Sequence, residues 1–567
     1  MMINEIFDKL NKTENCKYVD KSTLNDKKFN GYNTIISVDT EVSFGPKLIE
    51  IRLYICFEEN LDINLPKIFI DKSSYDPLKY IPHINSDLSI CIVDESLNFF
   101  YNADELPSIV LKLVSNAKAI IRDSEDEEYS KQEFIREFQA YWGISYSKED
   151  KCSKNGLVLI DHSLDKEICA ISFTGGIGSY KYLIYNNPAL FSKFSDYLRK
   201  RKITYTAIPV FPVNYNKEIP PFEITYEESK QYLGDNSFSD IKKQFNKFKG
   251  NDFLVIFKNI QNEYYGWKYS YFEKIKGFRS KSNWEKLTSP IIKDKKVDRI
   301  TFSEITPNRL TKRTDGVERK LSLSINMIGL GSVGSNLLHF LSKLNIKEFN
   351  LVDPDVLSIE NIYRHNYGLN FIHEFKTKVV QYNLLNKNPF LEVNTFEKNI
   401  SDLIKKKPSF FSDSDYSFLI TGNTRSELYI LNYLQEVKTD KPLFIIWVEP
   451  YMASGQIMYI EPEDVVKAKD LLINYPHHIL NSRENSDKLY LKEGSCQSGY
   501  YPYSENYLIL FLSTCFPYIY DIIFRNSKNK SHTISWYGDI NFLDNLELVL
   551  KDNIDESFTF KVIKHEF

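Results

Sequence analysis

No two of the seven cysteines, Cys16, Cys56, Cys91, Cys152, Cys169, Cys496 and Cys515, form a CxxC pair. That excludes a zinc ribbon, and a 567-residue chain of this composition does not read as a disulfide scaffold. Each cysteine is then judged singly, with a small buried hydrophobe as the ordinary fate. Positive charge is not in excess either. The 72 Lys and Arg face 76 Asp and Glu, a net charge of -4, so nothing offsets a phosphate backbone and no nucleic-acid partner is expected. Long hydrophobic runs are missing. The first thirty residues hold no apolar signal core, and the longest apolar run, Tyr507 to Tyr520, is interrupted by Ser513, Thr514 and Pro517. It falls short of a membrane span. The expectation is a buried helix in a cytoplasmic protein that meets no membrane. No internal repeat is found.

What is present is a chain of 42% hydrophobic residues, long enough for about three domains of ordinary size. Residues 1–150 alternate as strands in NTIISVDTEV and KLIEIRLYICFEE, pass through LPKIFID and a loop around Cys91, and turn helical in DELPSIVLKLVSNAKAIIRD. Strands first and helices after predict an α+β domain. The acidic run DSEDEE at 123–128 reads as the solvated start of a helix ending near Trp142. Residues 151–300 read as a mixed α/β module. There TGGIG, Thr174–Gly178, is expected to be a plain turn because no P-loop lysine and serine accompany it. From 301 to 567 apolar strands alternate with helices, which predicts a parallel, doubly wound sheet of the Rossmann type.

In that last segment Gly329, Gly331 and Gly334 form GxGxxG between the strand SINMIGL and the helix NLLHFLSKL. There, backbone amides and the helix dipole face a phosphate. Asp353 follows Gly329 by 24 residues, at the end of the next strand, where a carboxylate reaches a ribose hydroxyl. A hydride-transferring dehydrogenase fits these four residues equally well. Asn361 and Arg364 come within 11 residues of Asp353, and Lys378 one helix later. Taken singly each is an ordinary surface residue. As an ordered set they suit a triphosphate whose α-phosphorus is attacked while charge builds on pyrophosphate.

GLGSVGS, DPDVLSIENIYRH, the lysine of FKTKVV and NKNPFLEV, in this order between about 309 and 515, resemble the adenylation domain of the ubiquitin-activating family. That family includes the thiamine and molybdopterin sulfur-carrier adenylyltransferases. The resemblance implies ATP and Mg2+ as cofactors and a protein's C-terminal carboxylate as substrate, giving an acyl-adenylate and pyrophosphate. It also implies ribose binding by Asp353 and phosphate binding by Asn361, Arg364 and Lys378. Where the family carries a magnesium-binding aspartate in a TDN-like turn, this chain reads LITGNTRSE from Leu419. Asn423 or another group takes that place, and the metal-holding residue is left unassigned.

Two cysteines stand apart. Cys496 lies in GSCQSGYYPYS, a loop before the apolar helix, and loop positions supply the exposure a nucleophilic thiol needs. The glycine-cysteine loop followed by PYS resembles the acyl-accepting site of prokaryotic activating enzymes. Cys91 lies in YIPHINSDLSICIVDE, nine residues inclusive from His83. ICIV also reads as a buried strand. The stretch from the strands through PHIN and the cysteine to the helices ending in YW resembles a bacterial ubiquitin-conjugating fold over 1–148. This implies Cys91 as thioester acceptor, Asn85 as oxyanion donor and His83 as a neighbour.

The fusion resembles the conjugating and activating enzyme of bacterial anti-phage CBASS operons. There the activated carboxylate belongs to a cyclic-nucleotide-producing, cGAS-like nucleotidyltransferase. The resemblance implies adenylation, capture by Cys496, transthiolation to Cys91 and conjugation to a lysine-bearing target. It further implies a homodimer, with Arg309 or Arg313 reaching a neighbouring site. The alternatives are an enzyme pair for a separate ubiquitin-like modifier, a sulfur-carrier adenylyltransferase with residues 1–300 as a docking module, and a non-enzymatic ATP sensor.

Overall fold

The computed structural model describes residues 2–24, 26–60, 64–78, 80–93, 101–144, 152–162, 164, 166–213, 219–233, 241–243, 245, 252–270, 289–315, 323–344, 346–492, 499–525 and 530–567. The chain gathers into two compact units, Met1–Asn187 with Ile203–Glu304, and Pro188–Lys202 with Ile305–Phe567.

The first unit begins with an antiparallel meander of β1 (Asn15–Tyr18), β2 (Thr34–Phe44), β3 (Lys47–Phe57) and β4 (Lys67–Ile70). Gly45, at φ +58°, lets β2 turn tightly into β3 with Phe44 paired to Lys47. The helix Leu106–Asp123 buries Leu106, Val110, Leu113, Val114, Ala117 and Ile121. This stripe at helical spacing covers the sheet face carrying Ile36, Val38, Leu53 and Ile55. Two further helices, Glu127–Arg136 and Phe138–Trp142, end at Trp142 as the sequence predicts.

The middle sheet contains β5 (Cys152–Leu159), β6 (Cys169–Ile177), β7 (Tyr180–Tyr185), β8 (Tyr205–Ile208), β9 (Val210–Val213), β10 (Asp252–Lys258), β11 (Tyr264–Ser270) and β12 (Asp298–Glu304). Their order is β8-β6-β7-β5-β12-β11-β10-β9. Thr174–Ile177 of the expected turn continue β6, and only Gly178, at φ +60°, begins the bend. Trp142 is fully buried and its Nε1–H donates to Ile300 O at 3.0 Å, under the Arg299 guanidinium at 5.3 Å. The last helix of the N-terminal segment therefore belongs to the core of this sheet.

The second unit holds β13 (Ser324–Ile328), β14 (Glu348–Val352), β15 (Glu392–Phe396), β16 (Tyr416–Leu419), β17 (Leu443–Val448), β18 (Ser454–Ile460), the short pair β19 (Leu491–Lys492) and β20 (Gly499–Tyr500), β21 (His532–Tyr537) and β22 (Val562–Glu566). The main sheet runs β15-β14-β13-β16-β17-β18-β21-β22. It is parallel from β15 to β17 and antiparallel beyond. The doubly wound parallel expectation thus holds for one half only. Five residues, Glu449–Ala453, join β17 to β18, too few for a parallel crossover. Register in the parallel half is fixed by aligned Asn326, Asn350 and Asn394. Asn394 Nδ2 donates to Asn350 Oδ1 at 2.9 Å, and Ser414 Oγ links Asn350 to Asn326 at 3.2 and 2.8 Å. A slip of one residue would break this chain, which is buried at Asn326, Asn350 and Ser414.

The apolar run forms the helix Glu505–Arg525, long and apolar enough to cross a membrane by length and composition. In the fold it buries Leu508, Phe511, Leu512, Cys515, Ile519, Ile522 and Ile523 against the sheet. Burial pushes the Cys515 thiol up to about 12, in keeping with a core cysteine. The helix Pro188–Lys200 also packs in this unit. Phe194 stacks on Phe390 at 6.1 Å and Lys193 Nζ lies 2.6 Å from Glu392 Oε1.

Candidate functional site

β14 and β16 flank β13 on opposite sides, so the strand order reverses at the carboxyl end of β13 and opens a crevice there. The glycine turn sits at that end. Gly329 adopts φ +95°, and a Cβ on it would meet Ile420 O at 2.3 Å; one on Gly334 would meet Gly329 O at 2.1 Å. Both glycines permit close backbone packing. Gly331 differs, since it caps the helix Ser332–Leu341 and nothing lies within 4 Å of where its Cβ would be. The open space therefore lies directly off the helix N-terminus, where backbone N–H groups favour a phosphate.

Asp353 follows β14 and is 5% exposed. Its Oδ2 accepts from Leu330 N–H at 2.6 Å and its Oδ1 from Asp355 N–H at 2.8 Å. Burial raises its pKa above the usual carboxylate range, against the pull of Lys376. Asp353 thus ties the glycine turn to β14, and Asp355 is the outward carboxylate, 2.9 Å from the buried Lys376 Nζ. Arg364 is half-buried and its carbonyl accepts from Ser332 Oγ at 2.7 Å and Asn336 Nδ2 at 3.3 Å. Its guanidinium lies over the Tyr503 ring at 5.3 Å, a cation-π contact. Asn361 Nδ2 donates to Ser358 Oγ at 2.6 Å. Lys378 reaches Thr395 Oγ1 at 2.7 Å and Glu397 Oε1 at 3.2 Å, at the same carboxyl edge of the sheet.

In the first unit, the stretch His83–Cys91 closes on itself as a small hairpin. Cys91 N–H donates to His83 O at 2.8 Å, Ile84 bridges Ile90, and Asn85 N–H donates to Ser89 O at 2.9 Å. Ile84 and Ile90 turn into the core at 4 and 7% exposure. By strand alternation the His83/Cys91 pair occupies the opposite face, with the Asn85/Ser89 pair beyond it. Cys91 is exposed, not the buried strand residue that ICIV suggested. The Asn85 amide donates to Ser89 Oγ at 3.0 Å. His83, at φ +62°, receives the Tyr141 hydroxyl on its backbone N–H at 2.6 Å.

Residues 307–485 match the ThiF family, and residues 17–151 match prokaryotic E2 family B. The chain joins a prokaryotic E2 family B domain to a ThiF-family domain. This pairing supports activation and conjugation chemistry of the ubiquitin-like kind. No curated protein sequence matches. Among solved structures, E. coli MccB with ATP is similar at 15% identity and a TM-score of 0.29, over 46% of this chain and 65% of that one. PaaA is similar at 15% identity and 0.32, over 46% and 75%. E. coli MccB with AMPCPP and MccA is similar at 15% identity and 0.30, over 46% and 66%.

The ThiF-family domain leaves the space beside Gly331 open off the helix N-terminus, but its Thr421–Asn423 turn does not fit a magnesium ion. Gly422, at φ +60°, stands where the aspartate was sought. Asn423 Oδ1 accepts from Ser426 N–H at 3.1 Å as a helix cap. Glu427 is turned inward at 2% exposure, accepting from Thr421 Oγ1 at 2.9 Å. Cys496 lies outside the described residues, as does the Arg313 side chain; Arg309 is exposed on the helix Pro307–Asp315.

Sequence reasoning missed Asp355, Lys376, Ser332, Asn336 and Tyr503. Ser332 and Asn336 are four apart on one helix face, the one signal that pointed to them. It also missed His365, 6% exposed, whose Nδ1 has no hydrogen-bond partner among the described residues. Burial first, then Lys376 and Arg364, push its pKa down to about 4 from 6.5. Between those values the unfolded chain binds a proton that the folded one refuses, so stability falls as pH drops through this window. Replacing His365 by Gln should flatten that slope, sparing about 2 kcal/mol at pH 5 relative to pH 7.5, as read by urea unfolding of the full chain at the two pH values.

Proposed function

We propose that the ThiF-family domain adenylates the C-terminal carboxylate of a protein, which is a cGAS-like nucleotidyltransferase encoded beside it, and that the E2 domain passes the acyl group to a lysine amine in anti-phage defence. The observation that carries this is the exposed Cys91 on the E2 hairpin, in the same chain as a switch-point crevice whose open face is Gly331. A carboxylate oxygen attacks the α-phosphorus of MgATP, the bond to pyrophosphate breaks, and the acyl-adenylate forms. Arg364, braced by Ser332, Asn336 and Tyr503, is suited to stabilise the charge leaving on pyrophosphate. Cys496 then displaces AMP, and exchange with Cys91 moves the thioester. Because both thiols are in one chain, the second transfer benefits from a high effective concentration.

A homodimer is supported by apolar residues that the segment after β14 leaves exposed, Ile359 at 66%, Tyr363 at 90% and Leu369 at 69%, more than a lone surface ordinarily shows in one stretch. The decisive experiment is intact-mass analysis of the full chain after incubation with MgATP and the neighbouring nucleotidyltransferase. The expected result is a thiol-labile adduct of that protein's mass, less one water, with release of AMP. An adduct with a small modifier instead overturns the substrate assignment. No adduct and no AMP overturns the relay.

A further inference from the structure

The face of the hairpin that carries Cys91 also carries His83, whose imidazole is gripped by a helix distant in sequence. Its Nε2 lies 3.2 Å from Glu133 Oε2, at ion-pair distance for a protonated ring. Its Nδ1 lies 3.6 Å from Glu137 Oε2, too far for one. Glu133 Oε2 is fully shielded and has no hydrogen-bond partner among the described residues, while Glu133 Oε1 faces Arg136 at 3.3 Å. Tyr141 closes the ring of contacts. Its hydroxyl accepts the His83 N–H and donates to Glu137 Oε2 at 3.2 Å. Burial first, and after it the charges of Glu137 and Cys91, hold the phenol proton in place. The His83 and Glu133 side chains are 14 and 15% exposed.

Such an arrangement has little to do with stabilising an isolated hairpin. One ring edge faces a buried carboxylate oxygen at 3.2 Å, while the other nitrogen lies 3.6 Å from the nearest carboxylate oxygen recorded against it. An imidazole so oriented takes up a proton at Nδ1, and Glu133 balances the charge at Nε2–H. The acceptor chemistry at Cys91 needs that service. A lysine side chain is an ammonium at neutral pH, with no lone pair to attack, so one proton must leave nitrogen before or as it meets the thioester carbon. The C–N bond then forms, the C–S bond breaks and the electron pair leaves on sulfur.

We propose that His83 is the proton acceptor for the amine that attacks the Cys91 thioester, with Glu133 and Glu137 as positioning residues and Tyr141 fixing the His83 backbone. This rests on the thioester relay proposed above. The groups facing His83 are Glu133, Glu137, Tyr141 and Cys91, with Arg136 acting through Glu133.

The test is single-turnover discharge of the charged full-length protein to free lysine and, in parallel, to hydroxylamine, which is largely unprotonated at neutral pH. His83→Asn is the chosen variant because asparagine tolerates the left-handed backbone of this position. Lysine discharge is expected to fall roughly 10²-fold, with hydroxylamine discharge falling far less. Glu133→Gln, which keeps the shape and loses the charge, is expected to move the acidic limb of the lysine pH–rate profile to lower pH. Equal losses toward both nucleophiles in His83→Asn, or wild-type lysine discharge in that variant, or an unmoved profile in Glu133→Gln, would overturn the assignment. If the wild-type protein never acquires a thioester on Cys91, the relay itself fails and takes this assignment with it.

Discussion

Cys91→Ala should leave ATP–pyrophosphate exchange in place while cutting transfer to acceptor amines by at least about 10⁴-fold, the scale of removing a covalent nucleophile. The two activities separate because the hairpin and the glycine turn belong to different compact units. Cys91 packs outward from Ile84 and Ile90, which fill the core, so its removal leaves no cavity and the meander should melt as before. Under this proposal the acyl group accumulates upstream, and intact mass should show it on Cys496 as a thiol-labile adduct. Unchanged amine transfer by Cys91→Ala would assign the hairpin a different role and leave the E2 domain a docking module.

The glycine turn yields the second large effect, and its glycines should fail differently. Gly334→Ala forces a methyl to 2.1 Å from the Gly329 carbonyl oxygen, a backbone atom with no side-chain freedom to yield. The helix Ser332–Leu341 or the turn must shift, at a cost on the order of 3 kcal/mol, and adenylation should vanish with it. Gly331→Ala meets nothing within 4 Å and sits at φ -65°, a conformation open to any residue. Its stability should change by no more than about 0.5 kcal/mol, while its methyl occupies the space offered to phosphate. ATP affinity should drop at least about tenfold, or 1.4 kcal/mol. Urea unfolding and pyrophosphate exchange on the two variants read both quantities. Full exchange by Gly331→Ala would show that the nucleotide does not approach this turn.

Local chemistry made much of this legible beforehand. The strand, GxGxxG and helix succession fixes backbone geometry within a few residues, and Asp353 lands one residue past β14 as the spacing required. The buried stripe of the helix Glu505–Arg525 was likewise written in its period. Long-range partnerships were not. Lys376 and Lys378 are two residues apart on one helix, yet one is buried on Asp355 and the other half-exposed on Glu397; only the helix's rotation against the sheet decides which. The parallel run ends at β17 because of a short connection whose consequence a strand-and-helix pattern does not announce. His83 and Cys91 looked like loop neighbours, and the hairpin that pairs them depends on left-handed backbone at His83 and Leu88, which residue type alone did not advertise.

The helix Pro188–Lys200 is bracketed by strands of the middle sheet but packs Phe194 on Phe390 and pairs Lys193 with Glu392 in the ThiF-family unit. Cleavage near residue 304 would therefore not liberate a self-sufficient adenylating fragment. A piece beginning there would surrender a helix it normally borrows from upstream, baring Phe390 to water, so anyone trimming this enzyme to its activating half would do better to carry that helix along or to cap the bared face.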